Sequence, residues 1–233
     1  MTQQHEVGRI YDELAEGYDR YHVDAKSLAE NQYVADVLRG LVRPGECVAD
    51  LGCGTGLLLE LCPVTAPDYV GLDISEGILA RARQKFPGHA FHAGDIQAPH
   101  AALPDGSVDL VVSLFGSPAY CDAALVRDQV MRMLRPGGRY FLMFCGVRYP
   151  KRSTYISRES SFMKPRRASA LAQLFPGSTV QGLSCAVDLL PARTPLPLAR
   201  AVMDLESATL GRLFPDAFFF LVVGGQKPAG QGG

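Results

Sequence analysis

Short β-rich runs alternate with helical patterns from Gly45 to Phe144, and this alternation limits the possible folds more than any other feature of the chain. It is the sequence sign of parallel strands joined by crossover helices. "CVAD", introduced by the turn "RPGE", reads as a first strand, and "YVGLDI" as a second. "SEGILARARQKF" follows with Ile78, Leu79, Ala82 and Phe86 at helical spacing and Ser75 placed to cap it. "HAFHAGD" is a third, short strand. After the turn "LPDGS", the near-continuous apolar run "VDLVVSLF" suits a strand buried on both faces. The helical pattern "DAALVRDQVMRML" is closed by "RPGG", read as a helix stop, and "RYFLMFCG" is a fifth strand. Further on come a helix at "RASALAQLF", a strand at "TVQGLSCAVDLL", a helix around "LARAVMDLESATLGRL", a last strand at "AFFFLVV" and a frayed tail, "GGQKPAGQGG".

The loop "ADLGCGTG" follows the first strand directly, where a doubly wound sheet places its ligand. Its glycines let backbone approach a ligand closely and permit φ values that a Cβ forbids. A dinucleotide fingerprint needs a third small residue where this chain has Leu57, because the third glycine comes one position early, at Gly56. A phosphate-binding P-loop is excluded, since no Gly-Lys-Ser/Thr follows. Asp50, just before the loop, offers an acceptor-only carboxylate suited to an ammonium group. Taken alone, Asp73 would suit a nicotinamide dinucleotide equally well, and Asp95 would serve as a turn residue.

With these residues in place, "VADLGCGTG" resembles the first motif of class I S-adenosylmethionine-dependent methyltransferases. "VGLDISEGILARAR" and "AGDI" resemble the second and third motifs, and "SVDLVVSLFGSPAY" and "MLRPGGRYFLMF" the fourth and fifth strand segments. The resemblance implies a Rossmann-like, doubly wound α/β fold. Its seven-stranded sheet is mainly parallel with one antiparallel strand, and an amino-terminal helical lid is added. It implies S-adenosylmethionine as cofactor, with Gly52, Gly54 and Gly56 passing it close to backbone and Asp50 near its amino group. Asp73 would accept the ribose hydroxyls, Ile74 and Ile96 would flank the adenine, and Asp95 would accept from the adenine amino group. Ser113 and Leu114 would line the sulfonium end. The expected organisation is one methyltransferase domain over 1–233: a lid at 1–43, a cofactor-binding core at 44–146, a substrate cap with carboxyl-terminal strands at 147–227, and a flexible tail at 228–233.

Because the hard chemistry belongs to the cofactor, catalytic residues are hard to name. His22 and Tyr120 are the weak candidates. "YDELAEGYDRYHVD" resembles the tyrosine-rich lid of small-molecule members, which makes Tyr11 and Tyr18 cofactor-covering residues. "LFGSPAY" puts Ser117 and Tyr120 at the acceptor, and it departs from the Asn/Asp-Pro-Pro-Tyr loop of nucleic-acid or protein amide methylation. Residues 148–167 hold seven basic side chains against one acidic. They read either as a solvated loop or as an anion-binding cap, with Arg152, Arg166 and Arg167 contacting an anionic or carrier-bound acceptor.

The formal charge of -1 excludes a broadly basic nucleic-acid binder, and nucleic acid is not expected as a partner. Six scattered cysteines without a C-x-x-C pair read as core residues in a reducing cytoplasm, and no metal is expected. The amino terminus lacks an apolar leader and the longest apolar run is too short to span a bilayer, so neither secretion nor a membrane is expected. The expected partners are a small-molecule substrate, with a carrier protein or a second copy of the chain as further candidates. The readings set against methyl transfer are a nicotinamide-dependent oxidoreductase and a non-catalytic S-adenosylmethionine-binding regulator.

Overall fold

The computed structural model describes residues 3–151, 162–191 and 193–229. The chain opens with α1 (Gln3–Leu14), a 3-10 turn at Tyr18–His22, and α2 (Ala25–Leu41). Asp24 starts α2: its carboxylate accepts from the backbone N–H of Lys26 at 2.9 Å and of Ser27 at 3.0 Å, pairing donors the helix itself leaves open. Then come β1 (Val48–Leu51), α3 (Leu57–Leu61), β2 (Tyr69–Asp73), α4 (Glu76–Lys85), β3 (Ala90–Ala93), β4 (Val108–Ser113), α5 (Ala123–Met133) and β5 (Leu134–Cys145). The remainder is α6 (Ala168–Leu174), β6 (Thr179–Leu183), α7 (Leu196–Ala208), α8 (Leu210–Leu213) and β7 (Phe220–Gln226).

The described residues form one seven-stranded sheet in the order β3-β2-β1-β4-β5-β7-β6. β1 to β5 pair in parallel, and β7 runs antiparallel to both β5 and β6. This is the Rossmann-like arrangement with one reversed strand that the resemblance implies. All four residues of β1 are buried, as a central parallel strand covered on both faces requires. Side chains of period two divide the core into two layers. Val48, Tyr69, Leu110, Val112, Phe141 and Met143 pack toward α2 and α7, while Ala49, Leu51, Leu72, Val111, Leu142 and Phe144 pack toward α5 and α6.

Four sequence expectations change. The fifth strand begins earlier than expected: α5 stops at Met133, just before "RPGG", but those residues already belong to β5, where the register against β4 shifts between Val108 and Leu110. The strand expected over 179–190 ends at Leu183. Ser184 takes φ +64, and the Glu206 carboxylate accepts from the N–H of Cys185 and Ala186, drawing the backbone out of the ladder. The long helix near the end breaks at Thr209, whose hydroxyl donates to Leu205 O at 2.6 Å. The tail is ordered further than expected: Gly224–Gln226 belong to β7. Beyond them the Lys227 ammonium donates to Met131 O and Leu134 O at 2.6 and 2.7 Å, capping the end of α5.

The six cysteines are free thiols, with Cys53, Cys62, Cys121 and Cys145 buried in the core. Among the described residues no group of His, Cys, Asp and Glu could hold a metal ion, and no helix is long and apolar enough to cross a membrane.

Candidate active site

The strand order reverses between β1 and β4, so the segments leaving their carboxyl ends diverge and open a crevice. A cavity of about 530 Å³ lies there, within the range of roughly 300–1,000 Å³ common to small-molecule sites. Its wall takes Asp50, Gly52, Gly54 and Thr55 from β1 and its loop, Asp73 and Ile74 after β2, Asp95 and Ile96 after β3, and Leu114, Ser117 and Tyr120 after β4.

The three loop glycines have different jobs. Gly54 has φ +54 and its missing Cβ would meet nothing within 4 Å, so its backbone faces open space on the cavity wall. A Cβ on Gly52 would land on the Ser117 side chain, which crosses over it and donates to Gly52 O at 3.1 Å. Gly56, with φ +93, would strike the Phe86 ring at 2.7 Å. It starts α3 and does not line the cavity.

Three carboxylates at the carboxyl ends of successive strands set the electrostatics. Asp50 is 2% exposed and accepts from the Tyr69 hydroxyl at 3.0 Å. Burial pushes its carboxyl up to about 7; the Tyr69 hydrogen bond opposes the shift and the charge of Asp73 adds to it. Asp73 accepts from Gly54 N–H and Ser75 N–H, each at 3.0 Å, which locks the carboxylate to the glycine loop. Its pKa is raised by burial and held down by those backbone donors. A carboxylate has about four lone-pair positions, so both oxygens retain acceptor capacity toward a ligand. Asp95 is held by Gln97, whose N–H and side-chain amide donate to Oδ1 at 2.9 and 3.1 Å.

The amino-terminal segment covers this site. Tyr11 stands edge-on to both Tyr18 and Tyr120, with ring centroids 5.9 Å apart in each case, and donates its hydroxyl to that of Tyr120 at 3.0 Å. All three rings line the cavity. The side-chain amides of Gln3 and Gln4 donate to Tyr120 O at 3.3 and 2.9 Å.

Several residues expected at the site lie elsewhere. Ser113 is fully buried and spends its hydroxyl on Leu51 O at 2.6 Å, tying β4 to β1 below the cavity. Arg166 donates to Cys121 O at 3.0 Å, and Arg167 starts α6 and pairs distantly with Asp216; neither lines the cavity. The anion-binding cap therefore finds no support from these two guanidinium groups. Arg152 lies outside the described residues. His22 ends the 3-10 turn at Tyr18–His22.

Sequence reasoning missed four features. Asp12 of α1 accepts from the Ser75 hydroxyl at 2.5 Å and Gly77 N–H at 2.8 Å, anchoring the lid to the start of α4. Asp19 accepts from the Thr55 hydroxyl at 2.6 Å and from the Lys85 ammonium at 3.1 Å, and Lys85 also pairs with Glu60. Glu30 of α2 is buried on the cavity wall. Phe115, at φ +47, starts the turn that brings Ser117 over Gly52. Capping and turn signals reveal local structure and say nothing of contacts between segments so far apart.

A glycine loop and three carboxylates thus stand together at the switch point of a seven-stranded sheet. Residues 49–142 match the family described as "Methyltransferase domain". A demethylmenaquinone methyltransferase of Beutenbergia cavernae is 34% identical over 139 residues, covering 58% of this chain and 56% of that protein. A malonyl-[acyl-carrier protein] O-methyltransferase of Serratia marcescens is 32% identical over 99 residues, covering 42% of this chain and 38% of that one. The chain thus spans about half the length of the curated relatives it matches. A chain from the complex between the Haloferax volcanii Trm112 methyltransferase activator and a methyltransferase superposes with a TM-score of 0.65 at 21% identity, over 94% of this chain and 97% of that one. At that identity the likeness concerns the fold.

Proposed function

We propose that this protein transfers a methyl group from S-adenosylmethionine to a nucleophilic atom of a small molecule. The observation that carries the reading is the set of Asp50, Asp73 and Asp95 on one cavity wall, beside the exposed backbone of Gly54. The fit is chemical: a buried carboxylate for the cofactor's ammonium, a backbone-locked one for a vicinal diol, and a third, with Ile74 and Ile96 beside it, for an aromatic amine. When bound, the cofactor supplies an electrophilic methyl on a positively charged sulfur. The chain's own residues bind, orient and exclude water. Alignment of this kind is worth about 7–11 kcal/mol of barrier where it is complete. Tyr11, Tyr18 and Tyr120 close the mouth over the reacting groups. The Tyr120 hydroxyl, which accepts from Tyr11, lines the cavity at this mouth.

A carrier-bound acceptor is the second reading, favoured by the 32% match to the Serratia marcescens malonyl-[acyl-carrier protein] enzyme. The first test is thermal unfolding with S-adenosylmethionine, S-adenosylhomocysteine and NAD in parallel. A ligand at about 100 times its Kd adds roughly 2.7 kcal/mol. A rise with both adenosyl ligands and none with NAD is expected; a rise with NAD alone overturns the reading. Mass gain on free amines and phenols, set against malonyl-[acyl-carrier protein], then separates free from carrier-bound acceptors.

A further inference from the structure

The cavity continues past the strand-end carboxylates of β1 to β3 to the far side of β4. Phe115 leaves the end of β4, and Phe220 opens β7 opposite Cys145, the last residue of β5. Phe115, Tyr149, Met163 and Phe220 all line the cavity there. Phe220 is 1% exposed and acts as the support behind the other two rings. The Phe115 ring stands edge-on to it, with centroids 5.6 Å apart and planes at 76°, and the Tyr149 ring is tilted against it at 5.2 Å and 58°. Phe115 and Tyr149 are themselves only half-buried.

The backbone holds Phe115 in place at a cost. Its φ of +47 lies in the left-handed region, where a bulky residue is an outlier. Glycine would make the same turn without that cost, so the turn carries the ring despite its geometry. The surroundings fix the conformation from several directions. Gly116 N–H donates to Met143 O at 3.1 Å, Ala119 N–H donates to Gly116 O at 2.7 Å, and the Ser117 hydroxyl donates to Gly52 O at 3.1 Å. A Cβ on Gly116 would fall 2.5 Å from Cys145 Sγ, so the turn sits directly on β5. Backbone strain persists where neighbours over-determine it, and it gathers at ligand sites. Aromatic pairs in edge-on or offset geometry attract beyond the area they bury. We infer that the methyl acceptor presents a flat aromatic ring to this half of the cavity, against Phe115 and Tyr149, and that Phe115 is the residue that selects for it. The inference rests on the methyltransferase reading above and names its substrate class.

The test measures binding of 2-naphthol and of its saturated analogue, decahydro-2-naphthol, to protein saturated with S-adenosylhomocysteine, by titration calorimetry. The two probes share one carbon framework and one hydroxyl and differ in aromaticity. 2-Naphthol is expected to bind at least about tenfold more tightly. Phe115→Leu keeps an apolar side chain at the same place and should reduce that ratio to about twofold, while S-adenosylhomocysteine affinity stays within about twofold; Tyr149→Leu should reduce the ratio several-fold. A purely structural Phe115 would instead shift Tm and leave the ratio intact. Equal affinities, a preference for the saturated probe, no binding of either probe, or an unchanged ratio in Phe115→Leu overturns the inference. If Phe115→Leu does not fold, the ratio measured on the unmodified protein and on Tyr149→Leu decides. Failure of S-adenosylhomocysteine itself to bind counts against the methyltransferase reading, whereas its binding with equal probe affinities counts against the aromatic acceptor alone.

Discussion

Asp50 combines near-complete burial, a tyrosine hydroxyl as partner and the nearby charge of Asp73, and these hold its carboxyl at about 7. In the proposed reading it must be ionised to receive the cofactor's ammonium. Affinity for S-adenosylmethionine is therefore expected to fall about tenfold between pH 8 and pH 6, with proton release detectable by calorimetry in buffers of different ionisation enthalpy. The same shift has the opposite sign for folding. The folded protein keeps a proton that the unfolded chain gives up from about pH 4 upward, so this contribution to stability declines as pH rises toward 7. Asp73 and Glu206 are shifted in the same direction by burial. Asp50→Asn should raise the Tm of the ligand-free protein at pH 8, flatten its pH dependence and weaken cofactor binding; a variant less stable at pH 8 would contradict the assignment. At Gly54 the φ of +54 and the open space beyond it separate two effects. Gly54→Ala is expected to cost modest stability, whereas Gly54→Val should also lose at least about a hundredfold in cofactor affinity, read by titration calorimetry.

The lid, α1 with the turn after it, is fastened at both ends of its path over the cavity. Asp12 is fixed at the start of α4, where a negative charge also meets the positive end of the helix dipole. Asp19 is fixed to the glycine loop through Thr55. Asp12 is exposed, so its loss should cost about 1 kcal/mol. Asp12→Ala is expected to speed cofactor dissociation about fivefold in stopped-flow measurements and to lower the Tm of the ligand-free protein by about 2–4 °C. None of this was legible beforehand, since Asp12 and Ser75 are 63 residues apart and neither sits in a distinctive pattern. The glycine loop, Asp73 and Asp95 were legible because each follows a strand whose own signal is local. Glu30 was not: on α2 it reads as one more helical charge, and only the docking of Ser184 gives it a place in the cavity. Ser113, placed at the site by its position after a strand, instead points at Leu51 O, because the last residue of β4 still lies inside the sheet.

At the scale of the whole molecule, parallel strands with crossover helices could be read from the alternation of patterns, and the single reversed strand from the family resemblance. The boundaries after β5 could not, because they depend on long-range polar ties. Lys227 is the plainest of these, closing the carboxyl-terminal strand against the end of α5. Lys227→Met should lower Tm by about 2–4 °C, the shift a loss of about 1 kcal/mol produces in a chain of this size; an unchanged Tm would show the tie to be unimportant. The tyrosines around the cavity bear on how all of these effects can be observed. The chain has nine tyrosines and no tryptophan, and Tyr11, Tyr18, Tyr120 and Tyr149 line the cavity. Light absorbed near 280 nm is therefore taken up without tryptophan to mask the signal, and much of it at the mouth of the site. Filling or opening the cavity should register directly in tyrosine emission and near-ultraviolet dichroism, so the protein carries its own optical reporter of occupancy.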